Sequence, residues 1–244
     1  MIPFFEVPPF QLGPITLQPF GVLSLLGIVS GGVVAALVAR GKKLPMWPYF
    51  LLFAAVFPIG LVGGLAYSVV FLGYPALSAT GFLFGWVPIV FLLLFLLGWR
   101  RFGERVDAAA IGLVVAWAMM RVGCFVVHDH PGSPTSFFLG VKGICRDDMA
   151  GETACHDLGL YELLYCLVLL MVMAAVVKKT NLGGLAACLV PLTYGPLRLV
   201  LDNLYELPGP FLIMLFRFVV VMAVGAVGLV VVVLLGQWAK QEET

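Results

Sequence analysis

Long uninterrupted apolar segments constrain this chain more than any other feature of its sequence. They approach the roughly 20 residues that a helix needs to cross a hydrocarbon core of about 30 Å, and they show no strand-like alternation. Hydrophobic residues make up 62% of the chain and charged residues 11%, whereas soluble domains carry about 25% charged residues. Because the backbone must satisfy its own hydrogen bonds inside a bilayer, the sequence predicts an all-α polytopic membrane protein.

Seven of these segments are predicted to be transmembrane helices of a single membrane domain, residues 1–244. No Lys or Arg precedes the first segment and no small-residue cleavage site follows it, so we expect a retained span rather than a secretory signal. A long loop, residues 128–157, separates the fourth span from the fifth. The approximate spans are 19–39, 50–72, 82–99, 107–127, 158–177, 183–203 and 209–236.

The basic residues outside the spans predict the orientation, because cytoplasmic loops carry an excess of Lys and Arg. Only Lys142 and Arg146 lie on one side. The nine on the other side are Arg40, Lys42, Lys43, Arg100, Arg101, Arg105, Lys178, Lys179 and Lys240. We therefore expect an extracytoplasmic N-terminus, a cytoplasmic C-terminus and an outer loop 128–157. The chain has no basic stripe of the kind that nucleic-acid binding needs.

Ionisable residues inside the predicted spans gather near the outer membrane surface. Arg121 lies about 9 Å below the outer end of the fourth span, at 1.5 Å per residue, and Glu162 lies near the start of the fifth. The others are Tyr194, Arg198 and Asp202, which share one helical face, and Arg217 in the seventh span. Arginine forks bind phosphate oxygens well, so we predict an anionic phospholipid headgroup as ligand. The alternative is a set of salt bridges that only joins helices.

All three histidines of the chain lie in or beside the outer loop. His128 and His130 flank Asp129, and His156 precedes Asp157. One interpretation is a general base or acid that a neighbouring aspartate orients. The alternative is loop structure, with Asp157 capping the fifth span. The His-x-His spacing matches no metal motif with a known mechanism, so we predict no metal ion and no other cofactor.

Two of the five cysteines fall in the predicted outer loop. Cys145 and Cys155 lie on a side that is oxidising in many organisms, so we predict a disulfide between them, with two free thiols as the alternative. Cys124, Cys166 and Cys188 lie within spans, where they are interpreted as small buried hydrophobic residues.

Several segments resemble the bacterial prolipoprotein diacylglyceryl transferases. RVGCF at 121–125 resembles the signature Gly-Arg-x-Gly-Asn-Phe, and HDLGLYELL at 156–164 is similar to His-Pro-x-Gln-Leu-Tyr-Glu. TYGPLRLVLD at 193–202 is similar to Gly-Tyr-Gly-x-x-Arg. GPITLQPFGVLSLLG at 13–27 and VGGLAYSVVF at 62–71 resemble the first- and second-span segments. Seven spans with the N-terminus outside also match this family.

The resemblance implies a reaction at the outer face of a bacterial inner membrane. A prolipoprotein cysteine would displace glycerol phosphate from phosphatidylglycerol and form a thioether to the diacylglyceryl carbon. Arg121 and Arg198 would hold the headgroup and act in catalysis. The other expected substrate-binding residues are Gly123, Tyr161, Glu162, Tyr194 and Asp202.

The chain departs from the family pattern at four places. Residues 81–86 read GFLFGW where the family carries a third-span His-Gly-Gly motif, whose His is the proposed base. Cys124 replaces the signature Asn, Phe20 replaces a first-span Tyr, and Leu65 replaces a second-span Arg. We therefore expect one of the catalytic candidates His128, His130 and His156, oriented by Asp129 or Asp157, to serve as base. The alternatives are a transferase with a different acceptor and a non-catalytic lipid-binding subunit.

Overall fold

The chain is mostly helical. A computed structural model describes residues 1–74, 89–90, 92–98, 101–146, 151–180, 182–205 and 211–241. Its six long helices are α1 (Pro19–Gly41), α2 (Trp47–Leu72), α3 (Phe102–Val127), α4 (Leu158–Lys179), α5 (Leu185–Leu204) and α6 (Phe211–Gln241). Within the described part, all six contain segments long and apolar enough to cross a membrane.

Six predicted spans coincide with these helices, with ends that differ by a few residues. The largest differences are five residues, at the start of α3, which begins at Phe102 rather than at residue 107, and at the end of α6, which ends at Gln241 rather than at residue 236. Hydropathy marks only the part of a helix that sits in hydrocarbon, and the first turn of α3 is polar, with Arg101 paired to Glu104 at 2.5 Å. Half of the third predicted span, 82–99, lies outside the described residues, and within the described half 89–90 and 92–96 are helical. The number of seven spans and the orientation remain predictions.

Helices α1 and α3 form the most extensive helix pair of the described structure. Their backbones approach at Gly31 and Gly112, where a Cβ on Gly31 would lie 2.5 Å from the Gly112 carbonyl oxygen. A Cβ on Gly27 would likewise lie 2.7 Å from the carbonyl oxygen of Ala116. Small residues permit such approaches between membrane helices. This packing sets the position of α3, which carries Arg121 near its C-terminal end.

Five short strands correct the prediction of an all-α chain. Strands β1 (Phe10–Leu12) and β2 (Ile15–Leu17) form an antiparallel hairpin ahead of α1. Strands β3 (Pro131–Pro134), β4 (Val141–Lys142) and β5 (Ala154–Asp157) form an antiparallel sheet of order β3-β5-β4 in the predicted outer loop. Segments of two to four residues are too short to show a period in the sequence, so they gave no signal.

The sheet is tied to its surroundings beside the edge strand β4 and along the central strand β5. Cys145 and Cys155 are joined by a disulfide with a Cα–Cα distance of 5.4 Å, and Cys155 lies opposite Val141 in the β4–β5 ladder. Beside β4, the backbone N–H of Ile2 donates to the Gly140 carbonyl at 2.8 Å. At the end of β5, Asp157 accepts a 3.0 Å hydrogen bond from the Leu160 N–H, which confirms the predicted cap of α4.

Replacing Gly31 with leucine should separate α1 from α3. The added side chain has no room beside Gly112, and overpacking typically costs about 1–3 kcal/mol. SDS-titration unfolding of the purified protein measures the loss of stability. Gly21→Leu is the matched control, because Gly21 lies in the same helix and a Cβ there would have no neighbouring atom within 4 Å. Equal losses in the two variants would contradict the close approach.

The disulfide predicts a defined alkylation pattern. Under denaturing, non-reducing conditions an alkylating reagent should add to the three free cysteines, Cys124, Cys166 and Cys188. After reduction it should add to all five cysteines of the chain. Intact-mass spectrometry counts the adducts. Five adducts without reduction would contradict the bridge.

Candidate functional site

A buried carboxylate, Glu162, lies between two arginines from neighbouring helices. The glutamate lies in the second turn of α4 and is only 2% exposed. Its Oε2 contacts Nε of Arg121 from α3, and its Oε1 accepts from Nη1 of Arg198 of α5 at 3.1 Å. One carboxylate therefore joins α3, α4 and α5. The predicted convergence of Arg121, Glu162 and Arg198 is present in the structure.

The predicted polar face of α5 completes this arginine cluster, which we define as Arg121, Glu162, Tyr194, Arg198 and Asp202. Arg198 Nη2 lies 2.8 Å from Asp202 Oδ1, one turn further along the helix. The Tyr194 hydroxyl donates a long hydrogen bond of 3.5 Å to Glu162 Oε1. The spacing of four residues places all three α5 side chains on one face. The cluster thus has two orienting carboxylates and two guanidinium groups.

The two arginines are more accessible than the two carboxylates of the cluster. The side chains of Arg121 and Arg198 are 15% and 27% exposed, against 2% for Glu162 and 7% for Asp202. Carboxylates buried behind them orient the guanidinium forks, and the contacts described use only some of the N–H donors on each fork. The remaining N–H groups can therefore donate hydrogen bonds to phosphate oxygens. The predicted excess of positive charge needed Arg217, whose side chain lies outside the described part of the structure.

A second polar cluster begins one helical turn beyond Arg121. Arg121 Nη1 donates to Cys124 Sγ at 3.3 Å. A group that we call the thiol cluster consists of Cys124, Asp129 and His130. Each residue has one possible metal-ligand atom, and these three atoms lie within 4.8 Å of one another. His130 Nδ1 lies 2.5 Å from Asp129 Oδ1. Sequence reasoning missed Cys124, because a cysteine inside an apolar span reads as a packing residue.

Asp129 and His130, the two loop residues of the thiol cluster, form an ion pair. Hydrogen bonds with Asp129 and with Cys124 raise the pKa of His130 to about 10. Burial acts to raise the pKa of Asp129, but the hydrogen bond and charge of His130 outweigh it and lower that pKa below its usual range. At neutral pH the Asp129–His130 pair is therefore ionic. His130 therefore already carries a proton, which a metal ion that binds its ring nitrogen would have to displace.

The other two histidines lie in different surroundings. His128 is engaged at both ring nitrogens, 2.6 Å from Asp157 Oδ2 and 2.7 Å from the Phe5 carbonyl oxygen. Its side chain is 5% exposed and packs among the rings of Phe4, Phe5 and Phe125. His128 thus ties the N-terminal segment to the loop and to the cap of α4.

His156 forms a pair with Tyr161. Its Nδ1 lies 2.6 Å from the tyrosine hydroxyl, and burial lowers the pKa of His156. The described contacts of the pair extend to Phe137 and do not reach the arginine cluster. Of the three predicted histidines, the structure therefore brings only His130 close to Arg121, through Cys124.

Gly123 contributes to this region through its lack of a side chain. A Cβ at Gly123 would lie 3.3 Å from the Phe20 Cα of α1. Gly123 therefore faces α1, and this close approach holds α1 and α3 together between Arg121 and Cys124.

The cavities lie away from the thiol cluster. The larger, about 250 Å³, is lined by Lys42, Glu104 and Asp107 near the other end of α3. Asp107 there accepts 2.8 Å hydrogen bonds from the N–H groups of Gly184 and Ala187, so it caps α5. A cavity of about 20 Å³ beside Arg198 has room for about one water molecule.

The family model described as prolipoprotein diacylglyceryl transferase matches residues 9–238, a range that contains both clusters. No curated protein sequence matches the chain. The region where the family pattern carries its third-span His, residues 81–86 here, lies outside the described residues.

Replacing Glu162 with glutamine should destabilise the protein strongly. Loss of one partner from a buried ion pair typically costs about 3–5 kcal/mol, because the remaining charge is left uncompensated. The partial exposure of both arginines favours the lower end of that range. SDS-titration unfolding gives the measurement. Glu104→Gln is the control, because its pair with Arg101 is far more exposed and should contribute less than about 1 kcal/mol. Similar losses in both variants would contradict the central role of Glu162.

Proposed function

This chain belongs to the prolipoprotein diacylglyceryl transferase family, and we propose that it transfers a diacylglyceryl group from phosphatidylglycerol to the cysteine of a prolipoprotein. The family is one of membrane transferases in lipoprotein biosynthesis, and the six apolar helices agree with a multi-pass protein of a bacterial inner membrane. The observation that carries the proposal is the pair of arginine forks that Glu162 orients beside the thiol cluster.

The arginine cluster is proposed to bind the lipid phosphate. Arg121 and Arg198 are charged forks whose planar donors match phosphate oxygens. As the lipid carbon–oxygen bond breaks, negative charge grows on the departing glycerol phosphate, and donors fixed in advance stabilise that charge. Glu162 and Asp202 orient the forks, and Tyr194 supports Glu162. This role needs the arginines accessible and their partners buried, as observed.

The thiol cluster is proposed to activate the acceptor cysteine. A thiolate, and not a thiol, is the attacking nucleophile. Its sulfur forms a bond to the glycerol carbon as the bond from that carbon to the phosphate oxygen breaks, and the electron pair leaves with glycerol phosphate. The acceptor thiol loses its proton to water before the attack, and the positive charge of His130 stabilises the resulting thiolate. Cys124, Asp129 and His130 are the polar groups nearest to Arg121 on the loop side, so the activation is assigned to them.

The active site is proposed to face the extracytoplasmic side. Support comes from the distribution of basic residues, which places loop 128–157 outside. The arginine cluster lies at the end of α3 and the beginning of α4, directly beneath this loop, and the Cys145–Cys155 disulfide suits an oxidising compartment.

A different acceptor is the second candidate function. Cys124 stands where the family signature has Asn, and it forms the thiol cluster together with two loop residues. These changes concern the acceptor side, whereas the phosphate-holding arginines are retained. The enzyme would then use the same phospholipid but a lipid or another polar molecule as acceptor. Incubation with phosphatidylglycerol and a cell lipid extract, followed by lipid mass spectrometry, separates this candidate from transfer to a lipobox peptide.

Replacing Arg121 or Arg198 with lysine should abolish transfer. Lysine keeps the charge but loses the planar fork, and removal of one donor to a developing oxyanion typically costs about 10²–10³ in kcat. Transfer from phosphatidylglycerol to a lipobox peptide, followed by mass spectrometry, measures it. Arg101→Lys is the matched control at the other end of α3. Full activity in Arg121→Lys or Arg198→Lys would overturn the phosphate role. Phospholipid bound to the wild type without product from any acceptor would favour a non-catalytic subunit.

A further inference from the structure

The thiol cluster combines three different metal-ligand types at one point. Cys124 supplies a thiolate-forming sulfur, His130 an imidazole nitrogen and Asp129 a carboxylate oxygen, all within 4.8 Å of one another. Around a tetrahedral zinc ion, whose bonds are about 2.0–2.3 Å long, ligand atoms lie roughly 3–4 Å apart. The limit of 4.8 Å exceeds that separation by about 1 Å, so the three side chains must draw together to bind one ion. The His-x-His spacing predicted no metal, because the missing ligand, Cys124, comes from α3.

We propose that Cys124, Asp129 and His130 bind a divalent zinc-like ion whose fourth position takes the acceptor thiol. This proposal rests on the proposed function for the identity of that fourth ligand. Three protein ligands with one open position are the arrangement of catalytic zinc sites. Thiolate and imidazole ligands select zinc over magnesium or calcium, which prefer oxygen.

Exposure differs across the cluster in the way an open site requires. Cys124 is buried at 2% exposure, whereas the side chains of His130 and Asp129 are 35% and 37% exposed. The sulfur therefore closes the side of the site that faces the helices. A ligand can enter between the two loop residues, from the side on which an acceptor peptide would arrive.

Arg121 links the metal site to the lipid site. It contacts both the sulfur of Cys124 and the carboxylate of Glu162. A thiol bound to the ion loses its proton to solvent and becomes a thiolate. This thiolate lies beside the headgroup held by Arg121, forms the bond to the glycerol carbon, and glycerol phosphate leaves with the electron pair of the broken bond. The N–H donated to Cys124 is an outer contact of the kind that tunes a metal ligand.

Metal binding by the full-length protein in detergent tests the site directly. The protein should bind one Zn²⁺ ion per chain, as elemental analysis measures. With Co²⁺ it should show the sulfur-to-metal absorption band that a thiolate ligand produces. Cys124→Asn, His130→Ala and Asp129→Asn should each weaken binding by more than about 100-fold, because even outer partners of metal ligands contribute about 10–100-fold. Cys188→Ala, which removes a free thiol outside the cluster, should bind as the wild type does. Absence of Zn²⁺ binding, or equal binding by Cys124→Asn, would overturn the site.

Cys124→Asn restores the residue usual in the family signature, so its folding can be checked against wild type by SDS titration. Chelation should lower transfer to a lipobox peptide by about 10² or more, on the scale of losing a group that activates a nucleophile, and Zn²⁺ should restore it. Transfer that is insensitive to complete metal removal would overturn the role in thiol activation and leave the proposed function standing. Cys124-dependent metal binding without any transfer would support the site, and the proposed function would then be the one that fails.

Discussion

The need to compensate a buried carboxylate organises the functional half of this protein. Glu162 is almost completely buried, and an isolated charge in such surroundings is very costly. Contacts with Arg121 and Arg198 offset that cost and fix the relative positions of α3, α4 and α5. The same contacts orient the two guanidinium groups, which are partly exposed. A structural requirement, charge compensation, thus preorganises the donors that the proposed reaction needs.

A second set of contacts holds the loop between α3 and α4 at both of its ends. Asp157 caps α4 through the Leu160 N–H and also binds His128 at the end of α3. The disulfide and the three-stranded sheet stiffen the remainder of the loop. Because both ends of the loop are tied to helix termini, Asp129 and His130 are kept beside Cys124. This anchoring explains why the three histidines, close in sequence, have three different surroundings.

One departure from the family pattern, Cys124, lies on the acceptor side of the proposed reaction. The arginines that would hold the phosphate are retained, and the family assignment covers them. The changed residue within the described site is Cys124, which contacts Arg121 and joins the thiol cluster. In the proposed reaction, the change at Cys124 would preserve use of the lipid while altering how the acceptor is activated.

The sequence by itself determined the helical membrane class, most span positions, the gathering of Arg121, Glu162 and Arg198, and the cap at Asp157. It could do so because hydropathy, depth along a span and helical spacing are local properties of the chain. Only the tertiary structure decided which histidine lies near Arg121 through Cys124, that Cys124 belongs to a polar cluster, and that the loop forms a sheet. These depend on contacts between α3, the loop and α4, and no local pattern encodes the distance between side chains from separate elements.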